Sequence, residues 1–189
     1  YLFPAPGDVL ASLTMNITEG LIPEALLISM TRLAIGYVIS FAIGAFIGAL
    51  TATSQLADDT IGSLVLGFQS LPSITWLPLA ILWFGLNQQA IIFVVLMGSI
   101  FAVAISARAG VQSIPPLYRR AALTMGANRV QMVRYTLIPA MVPSMAQGLK
   151  LGWSFAWRSL MAGELLFIHG GLGQALDLGR NLNRMSLVI

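Results

Sequence analysis

The sequence predicts an all-α, polytopic transmembrane helical bundle. Three observations carry that prediction. Hydrophobic residues make up 57% of the 189 residues and charged residues 9%, where a soluble domain carries about 25% charge. Mean hydropathy is +0.84, and apolar runs long enough to cross a hydrocarbon core recur along the chain. The few charges are placed unevenly: Arg108, Arg119, Arg120, Arg129 and Arg134 are half of the ten basic residues, and no acidic residue lies among them. A pI of about 9.8 on its own invites a nucleic-acid partner. A net charge of only +3, gathered in one connection, fits the positive-inside loop of a membrane protein better. Cysteine is absent, which excludes disulfides, thiolate chemistry and zinc–thiolate sites.

Taken in order, Phe3-Pro4-Ala5-Pro6-Gly7-Asp8 reads as a turn, with Asp8 capping a short amphipathic helix through Ile17 at the membrane surface. The first span covers residues 25–52 and holds one charge, Arg32, which should snorkel to the outer interface. Along it Gly36, Ser40, Gly44 and Gly48 recur every fourth residue, a small-xxx-small stripe that lets another helix approach closely in lipid. A polar loop, Thr53 to Asp59, follows. The second span, 61–84, is broken by Pro72 and Pro78. Gly85-Leu86-Asn87-Gln88 is a hairpin turn into the third span, 89–107. The basic connection fills 108–138, the fourth span 139–168, and Gly170-Gly171 with Gly173 in a polar stretch from His169 to Arg184 end the chain. The sequence shows no signal peptide, opens at Tyr1 and stops as Ser186-Leu187-Val188-Ile189 begins a new apolar run, so a further span is expected at each end. The arginines place 108–138 in the cytoplasm, hence Thr53–Asp59 as well; Asn87 and 169–183 fall outside.

Within the basic connection, Pro115-Pro116 stops one helix and starts another. Leu117 to Met125 is then a short helix with Leu117, Ala121, Ala122 and Met125 on roughly one face, ended by Gly126 in a left-handed cap. Asn128 caps a second helix through Thr136, and Pro139 marks re-entry into the membrane. Small alanines on an exposed helix permit close docking into a groove; an ordinary amphipathic loop has the same pattern.

The register Arg120-Ala121-Ala122, three residues, Gly126, nine residues, Thr136-Leu137-Ile138-Pro139 resembles the Glu-Ala-Ala…Gly…Ile-x-Leu-Pro signature of permease subunits of binding-protein-dependent ABC importers. Phe3-Pro4-Ala5-Pro6, Leu71-Pro72-Ser73, Leu77-Pro78-Leu79, Trp83-Phe84-Gly85, and Glu164 with Gly171-Leu172-Gly173 are similar to the nitrate/sulfonate/taurine/bicarbonate branch. The likeness runs over nearly the whole chain. It departs at Arg120, where the family carries Glu, and at Thr136-Leu137-Ile138. The resemblance implies a type I importer permease fold with a cytoplasmic coupling helix, in which Leu117, Arg120, Ala121, Ala122, Met125, Gly126 and Pro139 form the ATPase-coupling element. It implies an ATP-binding ABC subunit, a second permease copy, a periplasmic or lipid-anchored solute-binding protein and the lipid membrane as partners, in a bacterial inner membrane, with no cofactor. The chain has no glycine-rich loop ending in Gly-Lys-Ser/Thr, and its one lysine is Lys150, so ATP hydrolysis is expected on a separate chain.

Charges inside an apolar span are costly and face a cavity or a partner. Lys150, Arg158 and Glu164 lie in the fourth span; at about 100° per residue, Lys150 and Glu164 fall within about 40° of each other and Arg158 about 80° from Lys150. Lys150 and Arg158, with Gln69 and Thr75 beside the prolines, are the candidate lining of a path for a small anion or zwitterion; Glu164 is expected to be a structural charge, paired with Arg158 or drawn to the interface. Of Trp76, Trp83, Trp153 and Trp157, the second and fourth fit an interfacial belt. His169 has no second ligand nearby, so no metal is expected, and Gly170-Gly171 reads as an outer turn near a docking binding protein. Three rival classes compete. A stand-alone secondary transporter or channel also uses broken spans and buried charges. A helix-turn-helix is imitated by Ala121-Ala122…Gly126…Val130, but it is tethered between spans and not free to enter a major groove, so no nucleic-acid partner is expected. A membrane enzyme would need paired carboxylates or a nucleophile–base set, and the spans offer neither.

Overall fold

The computed structural model describes residues 5–166 and 170–181, and among these every regular element is helical. Helix α1 spans Pro6–Thr18, with Ala5 at the cap position and no side-chain cap. The expected Asp8 cap is therefore corrected: Pro6 starts the helix three residues earlier, where its fixed φ suits the first turn and its missing N–H costs nothing. Helix α2 spans Leu21–Thr53. The expected polar loop after it shrinks to Ser54, whose hydroxyl accepts from the Ala57 amide at 3.4 Å and opens α3, Gln55–Ala57. That turn runs through a π segment, Asp58–Gly62, into α4, Ser63–Gln69.

The second predicted span is not one straight helix. Residues 55–69 and 73–84 are bent by 103° at the intervening break. Pro72 explains the position, since it removes a donor and disfavours helix at Leu71. Pro78 breaks nothing: a 3₁₀ turn, Ser73–Trp76, leads into α5, Leu77–Phe84, and Pro78 sits in the first turn of α5. The hairpin forms as expected, with Gly85 at φ +71° and the Asn87 carboxamide accepting from Gln89 N at 2.9 Å and Ala90 N at 3.3 Å to cap α6, Gln88–Gln112.

Helix α7 spans Pro116–Thr124 and α8 Arg129–Met132. A stop at Thr136 and a fresh start at Pro139 were expected. Instead α8 continues through a π segment, Val133–Leu137, into α9, Ile138–Leu166. The Ile138 amide donates to Val133 O, five residues back, and the wider turn falls just before Pro139, which cannot donate to residue 135. A further helix, α10 (Leu172–Asn181), occupies the stretch read only as polar. By length and apolarity α2 and α6 each suffice to cross a membrane; α9 has the length, 29 residues, but carries Lys150, Arg158 and Glu164.

The chain divides into two compact units that share α2, α6 and α9: Tyr1–Gly36 with Ser73–Val95 and Ala156–Ile189, and Tyr37–Pro72 with Leu96–Phe155. In the first, Leu33, Ala80, Ala90, Ile91, Val94 and Leu160 are fully buried. A Cβ on Gly36 would lie 2.8 Å from Val95 Cγ1 and 3.2 Å from Ile92 O. This unit also holds a buried polar cluster. The Arg32 guanidinium donates from Nη1 to Glu164 Oε1 at 3.0 Å and to Gly170 O at 3.0 Å. Ser29 Oγ lies 2.8 and 2.7 Å from the two Glu164 oxygens and accepts from Leu172 N at 2.9 Å; Gly173 N donates to Glu164 Oε2 at 3.1 Å. Arg32 is 2% exposed and Glu164 1%. Arg32 thus does not snorkel. Its 2% exposure and its bond to Glu164 place the guanidinium inside the unit, where an unpaired charge would be far costlier than a paired one. Gly171, at φ +94°, presses its α-carbon against that carboxylate: a Cβ there would sit 2.6 Å from Oε1.

The second unit continues the small-residue stripe. Ser40 Oγ donates to Leu96 O at 2.9 Å and lies 2.7 Å from Ser99 Oγ. A Cβ on Gly44 would meet Ile100 O at 2.7 Å, and one on Gly48 would strike Ala104 O and come within 2.6 Å of Ala107 Cβ. The close approach predicted from the Gly/Ser spacing is therefore made, and α6 is the helix that makes it. A second stripe, not read from the sequence, is Gly148 and Gly152 on α9, which face Ser106 and Val103. Tyr37 Oη donates to Leu149 O at 2.7 Å, and its ring meets Trp153 edge-on at 5.4 Å.

Two predictions follow from this packing. Gly48→Val should cost about 1–3 kcal/mol through forced overpacking, whereas Gly67→Ala, with open space around it, should be neutral or slightly stabilising; equilibrium unfolding in mixed micelles compares them. Arg32→Met should destabilise by about 3–5 kcal/mol by leaving Glu164 buried and unpaired. The double variant Arg32→Met/Glu164→Gln should recover part of that loss in a double-mutant cycle, and strictly additive losses would remove the pair from the account.

Candidate functional site

The element that stands out of the second unit is built by local rules. Pro115 precedes α7 and Pro116 occupies its first turn. At the other end Gly126 takes φ +79°. Its amide donates to Leu123 O at 3.0 Å, and the Ala127 amide reaches back to Ala122 O at 3.0 Å, the paired bonds of a Schellman C-cap. The next helix starts two residues later with a reciprocal capping box: Gln131 N donates to Asn128 Oδ1 at 2.8 Å, and Asn128 N donates to Gln131 Oε1 at 3.0 Å. The Asn128 cap is as expected; its partner Gln131 was not read from the sequence. Helix, left-handed Gly and capped helix thus form a fixed corner, joined through α8 and the π segment to α9.

Most of α7 is open, and only Ala122 of it is buried. Leu117 is 68% exposed and Met125 87%, and Arg120, Ala121 and Thr124 are exposed. Ala122 departs from the expected face. It is 9% exposed, about 140° around the helix from Leu117, and serves the corner as the acceptor of the C-cap. Arg119 and Met132 line a cavity of about 530 Å³ behind α7, with Val111, Ile114 and Val133. Pro139 is exposed at the start of α9.

Arg108 leaves the basic group. Its Nη2 donates to Asp58 Oδ2 at 2.7 Å, with Nε 2.6 Å from Oδ1, so this charge is neutralised on the π segment after α3. The sequence signal was present, since Asp58 is one of seven acids in the chain, but a separation of 50 residues hid the pairing. Arg134 lies over the Tyr135 ring at 5.8 Å.

The candidate path residues fall in different places. Gln69, half-buried, is the last residue of α4 before the bend, and Thr75, exposed, lies in the 3₁₀ turn after it. Lys150 and Arg158 are exposed on α9, while Glu164 is enclosed in the Arg32 cluster. The three charges of α9 therefore do not share one environment, and the bonded neighbour of Glu164 is Arg32, where Arg158 was expected. Trp83 is 61% exposed and packs on Phe93 at 5.6 Å; Trp157 is half-buried. His169 lies outside the described residues.

Against this geometry, residues 40–187 match the family described as binding-protein-dependent transport system inner membrane component. A putative ABC transporter permease protein of Methanocaldococcus jannaschii is 31% identical over 86% of this chain and 61% of that protein. The taurine transport system permease protein TauC of Escherichia coli is 27% identical over 90% of this chain and 64% of that one. The nitrate import permease protein NrtB of Leptolyngbya laminosa is 31% identical over 77% and 51%. The chain thus spans less than two thirds of the length of these relatives. Among solved structures, an inward-facing MetNI methionine ABC transporter superposes with a TM-score of 0.73 at 21% identity, over 87% of this chain and 82% of that one, which supports the type I permease fold. The chain belongs to the family of inner membrane components of binding-protein-dependent transport systems.

Proposed function

We propose that this chain is the permease of an ABC importer, in which the corner of α7, Gly126 and α8 receives the stroke of a separate ATPase subunit. The observation that carries the reading is mechanical. The exposed face of α7 is tied by its C-cap and by the capping box to α8, and α8 runs without a break into α9. A displacement of α7 is therefore passed to a membrane helix rather than lost in a loop. The proposal includes four crossings, with the corner on the cytoplasmic side, which the cluster of arginines there supports against Arg180 and Arg184 outside, and a multi-pass place in a bacterial inner membrane. A second permease copy, a solute-binding protein outside and the ATPase inside complete the assembly. The solute is a small anion such as nitrate, a sulfonate such as taurine, or bicarbonate, as the likeness to taurine and nitrate permeases supports. Lys150 and Arg158 of α9 are the cations proposed to line its path, with Gln69 and Thr75 at the bend as neutral donors.

The test is reconstitution in liposomes with the ATPase and binding protein encoded beside it. Solute-loaded binding protein should stimulate ATP hydrolysis; failure with every candidate anion contradicts the importer reading. Gly126→Val meets no steric obstacle but forces a β-branched residue to positive φ, which costs on the order of 1–3 kcal/mol at the corner. It should leave the permease in the membrane and reduce stimulated hydrolysis and uptake at least about tenfold. Unchanged uptake would overturn the coupling role.

A further inference from the structure

We infer that the surface receiving α7 is acidic, and that Arg120 is the residue that pairs with it. The inference rests on the importer reading above and adds the chemistry of the contact. Leu117, Arg120, Ala121 and Thr124 fall within about 100° of one another around the helix, and all four are exposed. This face therefore presents one long cation beside a small residue that permits close approach. Its own stretch of sequence supplies no carboxylate. No Asp or Glu occurs between Asp59 and Glu164; Asp58 is held by Arg108 and Glu164 by Arg32.

The neighbouring Arg119 is set about 100° away and lines the cavity behind the helix, so the two arginines do not act as one basic stripe. On α7 only Ala122 is buried, while Leu117, Tyr118, Leu123 and Met125 are exposed beside the arginines. The exposed surface is mixed in character and rigidly cornered by its caps, which suits a protein groove. A guanidinium there selects a carboxylate, because Arg and carboxylate match in a planar, two-bond geometry. A basic groove would instead be repelled, so the same residue helps choose which ATPase the permease accepts.

The experiment uses the permease with its own ATPase and loaded binding protein in liposomes. Arg120→Glu should lower stimulated ATP hydrolysis at least about tenfold and make ATPase co-purification weaker at low salt, while Arg120→Lys retains most of it. Scanning single Asp/Glu→Lys changes across the ATPase groove against Arg120→Glu should find one that restores coupling. Full activity of Arg120→Glu, a loss that no groove reversal restores, or a loss confined to vesicles containing anionic lipid would each overturn the inference. Gly126→Val is run in parallel. If it uncouples while Arg120→Glu does not, only the charge assignment falls; if neither uncouples, the coupling role of the corner falls with it.

Discussion

The structure depends on how closely α2 approaches α6. In lipid no hydrophobic force draws two apolar helices together, so association rests on dispersion contacts and on backbones that come within reach of each other. Gly36, Gly44 and Gly48 provide that reach, each leaving no room for a Cβ against Val95, Ile100 and Ala104 respectively. Ser40 adds the polar counterpart by bonding Leu96 O and Ser99. With α6 fixed on one side, Gly148 and Gly152 let α9 close on Ser106 and Val103. Beside them Tyr37 reaches Leu149 O and meets Trp153 edge-on.

The buried charges do a different task. Arg32, Glu164 and Ser29 would be a liability in an apolar helix bundle unless mutually satisfied. Together they gather α2, α9 and the backbone of Gly170, Leu172 and Gly173 around one carboxylate. Such a cluster specifies one arrangement of the turn that starts α10, because any other would strand a charge. The corner of α7 and α8 is set by the same logic with weaker bonds: two backbone caps and one Asn–Gln exchange fix the angle between α7 and α8.

Much of this was legible in the sequence. The helical class, the Gly/Ser stripe, the hairpin at Gly85, the left-handed Gly126 and the Asn128 cap all rest on local rules of spacing and conformation, and local rules are what a sequence displays. What escaped were pairings over long separations. Arg32 and Glu164 are 132 residues apart, and Arg108 and Asp58 are 50, so each arginine was read against its own neighbourhood, Arg32 as a snorkelling side chain and Arg108 as part of a basic loop. Ala122 was placed on the docking face although it sits about 140° from Leu117; the family motif drew it there, while the helix turns it inward. The π segments at Asp58–Gly62 and Val133–Leu137 replaced an expected loop and an expected helix end, since widening a turn by one residue leaves no sequence mark beyond a nearby proline.

The central claim is that the open face of α7 meets an ATPase subunit and moves with it. The chain contains no cysteine, so a single Leu117→Cys gives a thiol label without background. In the assembled transporter this thiol should cross-link to the ATPase subunit, and the yield should differ between nucleotide-free and ATP-bound states. A cysteine at Leu117 or Met125 that cross-links to no ATPase in either state would contradict the account.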